Sequence, residues 1–167
     1  MAGHSFFGKQ KLCYTEVSDF TDYQGIGHDP MYKRYDSVFS VVKRGIPINQ
    51  QHFLATPEYM DDEDQICWHI EKWQQHPTRL SELSGAEYDR YKGILDDTIK
   101  IYKSSIMDLS GEDLQIMAGA IKYVSEDRVY CTDDKVYLVA WGMTPDVRQH
   151  KVVGSVIHDF EYTKKYK

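Results

Sequence analysis

Residues 109–143 constrain the fold more than any other part of this chain, because a helix start, a helical stripe, a turn and an apolar strand follow one another there without a gap. Ser110 stands where an N-cap hydroxyl can accept a bond from an orphan N–H of the first turn. Asp113, three residues on, holds the second position of a capping box with a shorter side chain than Glu, and Leu109 and Leu114 hold the two places of a hydrophobic staple. Leu114, Met117, Ala118, Ile121 and Val124 recur at helical spacing, and Ile116 and Ala120 make the opposite side apolar, which predicts a buried helix. Beyond Ser125, residues 129–131 and 135–141 are β-branched and aromatic and flank a Thr132-Asp133-Asp134 turn, the pattern of a hairpin. In its second strand Val136, Leu138 and Ala140 alternate with Tyr137, Val139 and Trp141. Both sets are apolar, which predicts an inner strand covered on both faces.

The other elements are read from the same signals. Residues 12–17 and 37–43 read as strands, Arg44-Gly45-Ile46-Pro47 as a turn, and residues 48–55 as a returning strand. Asp61-Asp62-Glu63-Asp64 reads as a helix start, since acids collect at the positive end of the helix dipole. Ile66, Ile70 and Trp73 form its stripe, and His76-Pro77 ends it. On such a helix Cys67 and His69, two apart, do not face each other. Residues 78–83 read as a short helical turn. Ser84 and Glu87 then make a full capping box for a long helix to about Ser105, antiparallel to the next across a short link. Residues 152–162 resume as a strand, with His158 on its apolar face. The fold predicted is α+β: a mostly antiparallel sheet with strands from both ends of the chain, packed against a central group of three helices. One domain is the expectation for 167 residues, with 1–10 and 163–167 as loose ends.

Composition excludes several functions. The formal charge of −6 argues against non-specific nucleic-acid binding, which needs clustered Lys and Arg to displace counterions. No run of about 18 apolar residues is present, so no membrane span is expected, and the first residues do not resemble a signal peptide. Cys13, Cys67 and Cys131 are odd in number and far apart, without a Cys-x-x-Cys pair, which points away from a zinc ribbon or disulfide framework. A reducing, cytoplasmic location fits those thiols. No phosphate loop, dinucleotide fingerprint, Gly-x-Ser-x-Gly or His-Glu-x-x-His occurs, so no cofactor is expected.

Thirteen tyrosines and three tryptophans remain to be explained. Both residue types favour protein contacts, where they supply area and a polar handle. Residues 18–36 are aromatic and lack a clean period, and loops of that length are often functional. Together with the polar connection at 142–151 they define an expected contact surface of Phe20, Tyr23, His28, Tyr32, Tyr35, Arg148 and His150. The function expected is a non-catalytic protein-interaction module, or a subunit of a larger cytoplasmic assembly, with a protein partner, no nucleic acid and no membrane; a homo-oligomer is compatible with the same surface. One alternative is a small hydrolase or transferase, in which His28 beside Asp29 and His150 beside Asp146 and Arg148 would converge in one pocket. A second is an acidic inhibitor of a basic protein partner.

Overall fold

The first strand, β1 (Lys9–Glu16), is followed by three short ones, β2 (Phe20–Tyr23), β3 (Gly25–Ile26) and β4 (Asp29–Pro30). The structure, a computed structural model, describes residues 6–23, 25–26, 29–145 and 156–159. A 3-10 turn at Met31–Arg34 leads into α1 (Tyr35–Gly45). The β-branched run at 37–43, which reads as a strand, is therefore helical. Tyr35, Val38, Val41 and Val42 are buried along one face, and burying them outweighs a valine helix penalty of only tenths of a kcal/mol. Residues 48–55 do not pair back as a strand either. They form a 3-10 turn at Ile48–Gln50 and then one parallel bridge, from Leu54 to Leu138.

The helix expected from Asp61 is instead a hairpin, β5 (Thr56–Met60) and β6 (Gln65–Glu71). The four acids make its turn. Asp64 takes φ +53°, its N–H donates to the Asp61 carbonyl at 3.3 Å, and its Oδ1 accepts from the Tyr59 hydroxyl at 2.7 Å. Ile66 and Ile70 are four apart, a spacing that suits a helix face and a strand face equally. The central residues of β6, from Ile66 to Ile70, are all buried, so both faces of the strand are covered, and β1 and β5 bond its two edges.

After β7 (Thr78–Arg79) and a 3-10 turn at Leu80–Glu82 come α2 (Gly85–Ile106) and α3 (Gly111–Ala120). Both helices start where the sequence places them, yet neither Ser84 nor Ser110 makes a side-chain cap bond. Each helix is entered through a glycine, Gly85 and Gly111, at φ +62° and +57°, a region that costs other residues about 1–2 kcal/mol. α3 ends at Ala120, and Val124 lies instead in β8 (Tyr123–Ser125). Arg44 near the end of α1 pairs with Asp113 in the first turn of α3 at 2.8 Å.

The hairpin of β9 (Val129–Thr132) and β10 (Lys135–Leu138) forms as the sequence predicts. Asp133 and Asp134 both have positive φ, +51° and +61°, the two-residue turn whose twist matches the flanking strands. The sheet order is β10-β9-β7, but the outer edge of β10 is bonded too: Leu138 N–H donates to Phe53 O at 2.7 Å and Ala55 N–H to Leu138 O at 3.0 Å. Val136, Tyr137 and Leu138 are all buried, so both faces are covered. The strand stops there, and Ala140 turns the chain at φ +53°.

β11 (Met143–Pro145) and β12 (Val156–Asp159) pair with β2 and β8 respectively, and β3 pairs with β4, all antiparallel. Strands from both ends of the chain thus combine with three α-helices in an α+β fold. The antiparallel pairing is divided among several small sheets. No described helix is long and apolar enough to cross a membrane.

Candidate functional site

The aromatic residues expected to face a partner are mostly turned inward. Phe20, Tyr32 and Tyr35 are all buried. Tyr35 stacks on Phe39 with ring centroids 5.5 Å apart, tilts against Trp141 at 6.1 Å, and accepts a hydrogen bond from Thr56 Oγ1 at 3.2 Å. Tyr32 lies against Tyr59 at 5.6 Å, and the Arg128 guanidinium sits 5.1 Å from the Phe20 ring centre. Tyr32 and Tyr35 build the core because the 3-10 turn and α1 present them to the sheets, and Phe20 joins them from β2. The two segments expected to share one surface do meet, since Tyr23 of β2 is the register partner of Met143 in β11. His28, Arg148 and His150 lie outside the described residues, as do the side chains of Tyr23 and His158.

A cleft of about 330 Å³ opens where five parts of the chain converge. Its lining includes Lys9 from β1, Phe39 from α1, Ile48 and His52 from the connection after α1, Glu71 from β6 and Lys135 from β10. Lys9 and Glu71 are register partners. Glu71 Oε1 accepts hydrogen bonds from Lys135 Nζ and the Tyr137 hydroxyl, each at 2.9 Å. The His52 ring meets Tyr137 edge-on, with centroids 5.2 Å apart.

The electrostatics of the cleft follow from burial set against these bonds. Burial pushes the Glu71 carboxyl up, but the bonds from Lys135 and Tyr137 outweigh it and hold the group below its ordinary value. Burial pushes the His52 imidazole down, with Glu71 opposing and the two lysines assisting. Burial likewise lowers the Lys9 ammonium, against the pull of Glu71. The site therefore offers a neutral imidazole, a committed carboxylate, a partly desolvated ammonium and an apolar rim. Among the described residues, no serine, threonine or cysteine lines it. No local motif could have found it, because residues 9, 48, 52, 71 and 135 are brought together only by strand register and the Leu54–Leu138 bridge.

A second polar group lies on the β5–β6 hairpin. One ligand atom each from Glu58, Cys67 and His69 lies within 4.8 Å of the other two. His69 Nε2 is 2.9 Å from Glu58 Oε1, and the Phe6 ring covers the imidazole with centroids 4.1 Å apart. The expectation that Cys67 and His69 cannot meet is corrected here: on a strand, residues two apart share a face. Burial raises the Cys67 thiol, so it is not an activated nucleophile. No protein-family model, curated protein or solved structure matches the chain.

Proposed function

We propose that this protein is a non-catalytic interaction module, and that the cleft beside Ile48 receives a segment of a protein partner carrying an aliphatic side chain next to a carboxylate. The observation that carries this reading is Ile48, which is 85 % exposed at the rim of a cleft whose lining combines apolar and cationic groups. A large aliphatic side chain held in water gains roughly 1.5–3 kcal/mol when fully covered. Lys9 supports the same occupant, because a partly desolvated ammonium gains from an incoming carboxylate more than a fully solvated one does. The volume of about 330 Å³ suits one or two side chains. Among the described residues the lining holds no serine, threonine or cysteine, and its one hydroxyl, on Tyr35, is buried and bonded to Thr56, which favours binding over the hydrolase or transferase reading. Cys13, Cys67 and Cys131 are all free thiols, which fits work inside a reducing compartment.

The test uses the full chain, tagged and expressed in cells that carry its gene. Partner retention and cross-linked peptides are compared for wild type, Ile48→Asp, Lys9→Glu and Met107→Asp. Met107 is 59 % exposed and outside the cleft lining, so it serves as the control. A cross-linked partner segment, made as a peptide, should bind wild type and the Met107 variant alike. Each cleft variant should weaken it roughly thirtyfold, as expected for a residue worth about 2 kcal/mol. Equal binding by all four proteins, or a tightly held small molecule in native mass spectrometry with no partner, overturns the reading.

A further inference from the structure

We infer that Glu58, Cys67 and His69 form a binding site for one zinc ion on the β5–β6 hairpin. The donors are a carboxylate, a thiolate and an imidazole, the mixture that selects a borderline-soft transition ion over magnesium or calcium, which require oxygen ligands. Their ligand atoms all lie within 4.8 Å of one another. Tetrahedral bonds of roughly 2.0–2.3 Å set ligand atoms about 3.3–3.5 Å apart, so the widest separation closes by up to about 1.3 Å through side-chain rotation, while the His69–Glu58 pair at 2.9 Å opens by a few tenths.

The backbone places these donors without help from any loop. Glu58 and Cys67 are direct register partners across the antiparallel pair, which sets their Cβ atoms about 5 Å apart on one face. His69 follows two residues later on the same strand and the same face. Cys67 is fully buried and His69 is 5 % exposed, so two ligands are already desolvated. The Phe6 ring, 4.1 Å from the imidazole, shields that side. Three protein ligands leave a fourth position for water or a donor from a partner. Binding forms a zinc–sulfur bond and releases the thiol proton to solvent. The thiolate and carboxylate together neutralise the dication. This site does not depend on the cleft being a docking surface, as it uses none of the cleft residues.

The experiment takes the full chain, free of any histidine tag, stripped with chelator and titrated with zinc chloride and, separately, cobalt chloride. Wild type is expected to bind one equivalent of each. The cobalt form should show a thiolate-to-cobalt charge-transfer band in the near ultraviolet and tetrahedral bands in the visible. Cys67→Ser should abolish the charge-transfer band, and His69→Gln should weaken zinc binding by more than roughly a hundredfold, the most that loss of an outer partner alone costs. Cys131→Ser, at a buried thiol outside the trio, should leave both readouts unchanged. Circular dichroism shows whether the buried variants fold. Glu58→Gln, at a half-buried side chain, supplies an independent loss of affinity if they do not. The proposal is overturned if wild type takes up no zinc, if it binds cobalt without a charge-transfer band, or if folded Cys67→Ser retains that band.

Discussion

Trp68 and Trp141 meet edge to face, with ring centroids 5.8 Å apart at 67°, and this contact ties β6 to the segment leaving β10. Both rings are fully buried. Each indole N–H is also bonded, Trp68 Nε1 to Thr15 Oγ1 at 2.9 Å and Trp141 Nε1 to the Ala55 carbonyl at 2.8 Å. Trp141→Ala should cost about 3–5 kcal/mol in urea unfolding. Trp141→Phe keeps much of the volume and should cost about 1–3 kcal/mol, since it leaves a buried carbonyl without its donor. Equal losses for the two variants would mean that packing around Trp141 contributes little.

Ser40 tests the helical state of residues 37–43. It is exposed in the middle of α1, where its hydroxyl accepts a bond from Arg44 Nη1 at 2.9 Å. Ser40→Pro should cost about 3 kcal/mol or more, because proline removes an internal hydrogen bond and clashes with the preceding turn. Ser40→Ala should stay within about 0.5 kcal/mol of wild type. A proline variant as stable as the alanine variant in urea would contradict a helix there.

The β9–β10 turn predicts effects of opposite sign at adjacent residues. The Asp133 carboxylate accepts from the backbone N–H groups of Gln74 and Gln75, at 2.9 and 3.4 Å, so it holds the chain after β6. Asp133→Ala should destabilise by about 1–2 kcal/mol. Asp134 has positive φ and pairs with Arg90 at the exposed surface. Asp134→Gly should be neutral or stabilising by up to about 1 kcal/mol, because glycine relieves the left-handed strain while a surface ion pair contributes little. Thermal melts of the two variants should shift apart.

His52 and Glu71 make the fold lose stability in acid. Both groups hold their protons less tightly when folded than their ordinary values of 6.5 and 4.5. The unfolded chain therefore binds more protons as pH falls, and stability decreases. The His52 contribution is complete above pH 6.5 and is lost as pH falls through that value and on through the folded one; that of Glu71 follows the same course from 4.5. His52→Gln should flatten the stability profile between about pH 7.5 and 5.5, and Glu71→Gln should flatten it below about pH 4.5. Profiles parallel to wild type in both windows would show that the two groups are not coupled to folding.

Arg128 closes the turn after β10. Its Nη1 donates to the carbonyls of Ala140 and Met143, at 3.0 and 2.8 Å, and its guanidinium lies over Phe20 and Tyr123 at 5.1 and 4.7 Å from the ring centres. Arg128→Ala removes a buried donor to two carbonyls and should cost about 2–4 kcal/mol. Ala140→Gly should stabilise by up to about 1 kcal/mol, as φ is +53° there. A destabilising glycine at 140 in chemical denaturation would show that the methyl group contributes more by packing than its conformation costs.

The sequence by itself determined α2, the start of α3 and the β9–β10 hairpin. Each rests on local signals: a serine followed by helical periodicity, or a two-aspartate turn between apolar strands. It also determined that β10 is apolar on both sides. Only tertiary structure decided between helix and strand at Val38–Val42 and at Ile66–Ile70, since short apolar runs fit both periods and the outcome depends on which surface covers them. The same cause turned Phe20, Tyr32 and Tyr35 from an expected contact surface into core. His52 and Glu71 met through hydrogen-bond register between distant segments, and Glu58, Cys67 and His69 share a face only because residues 56–71 form a hairpin and not a helix. Register is not written in any local pattern, because the bonds that set it join residues far apart in the chain.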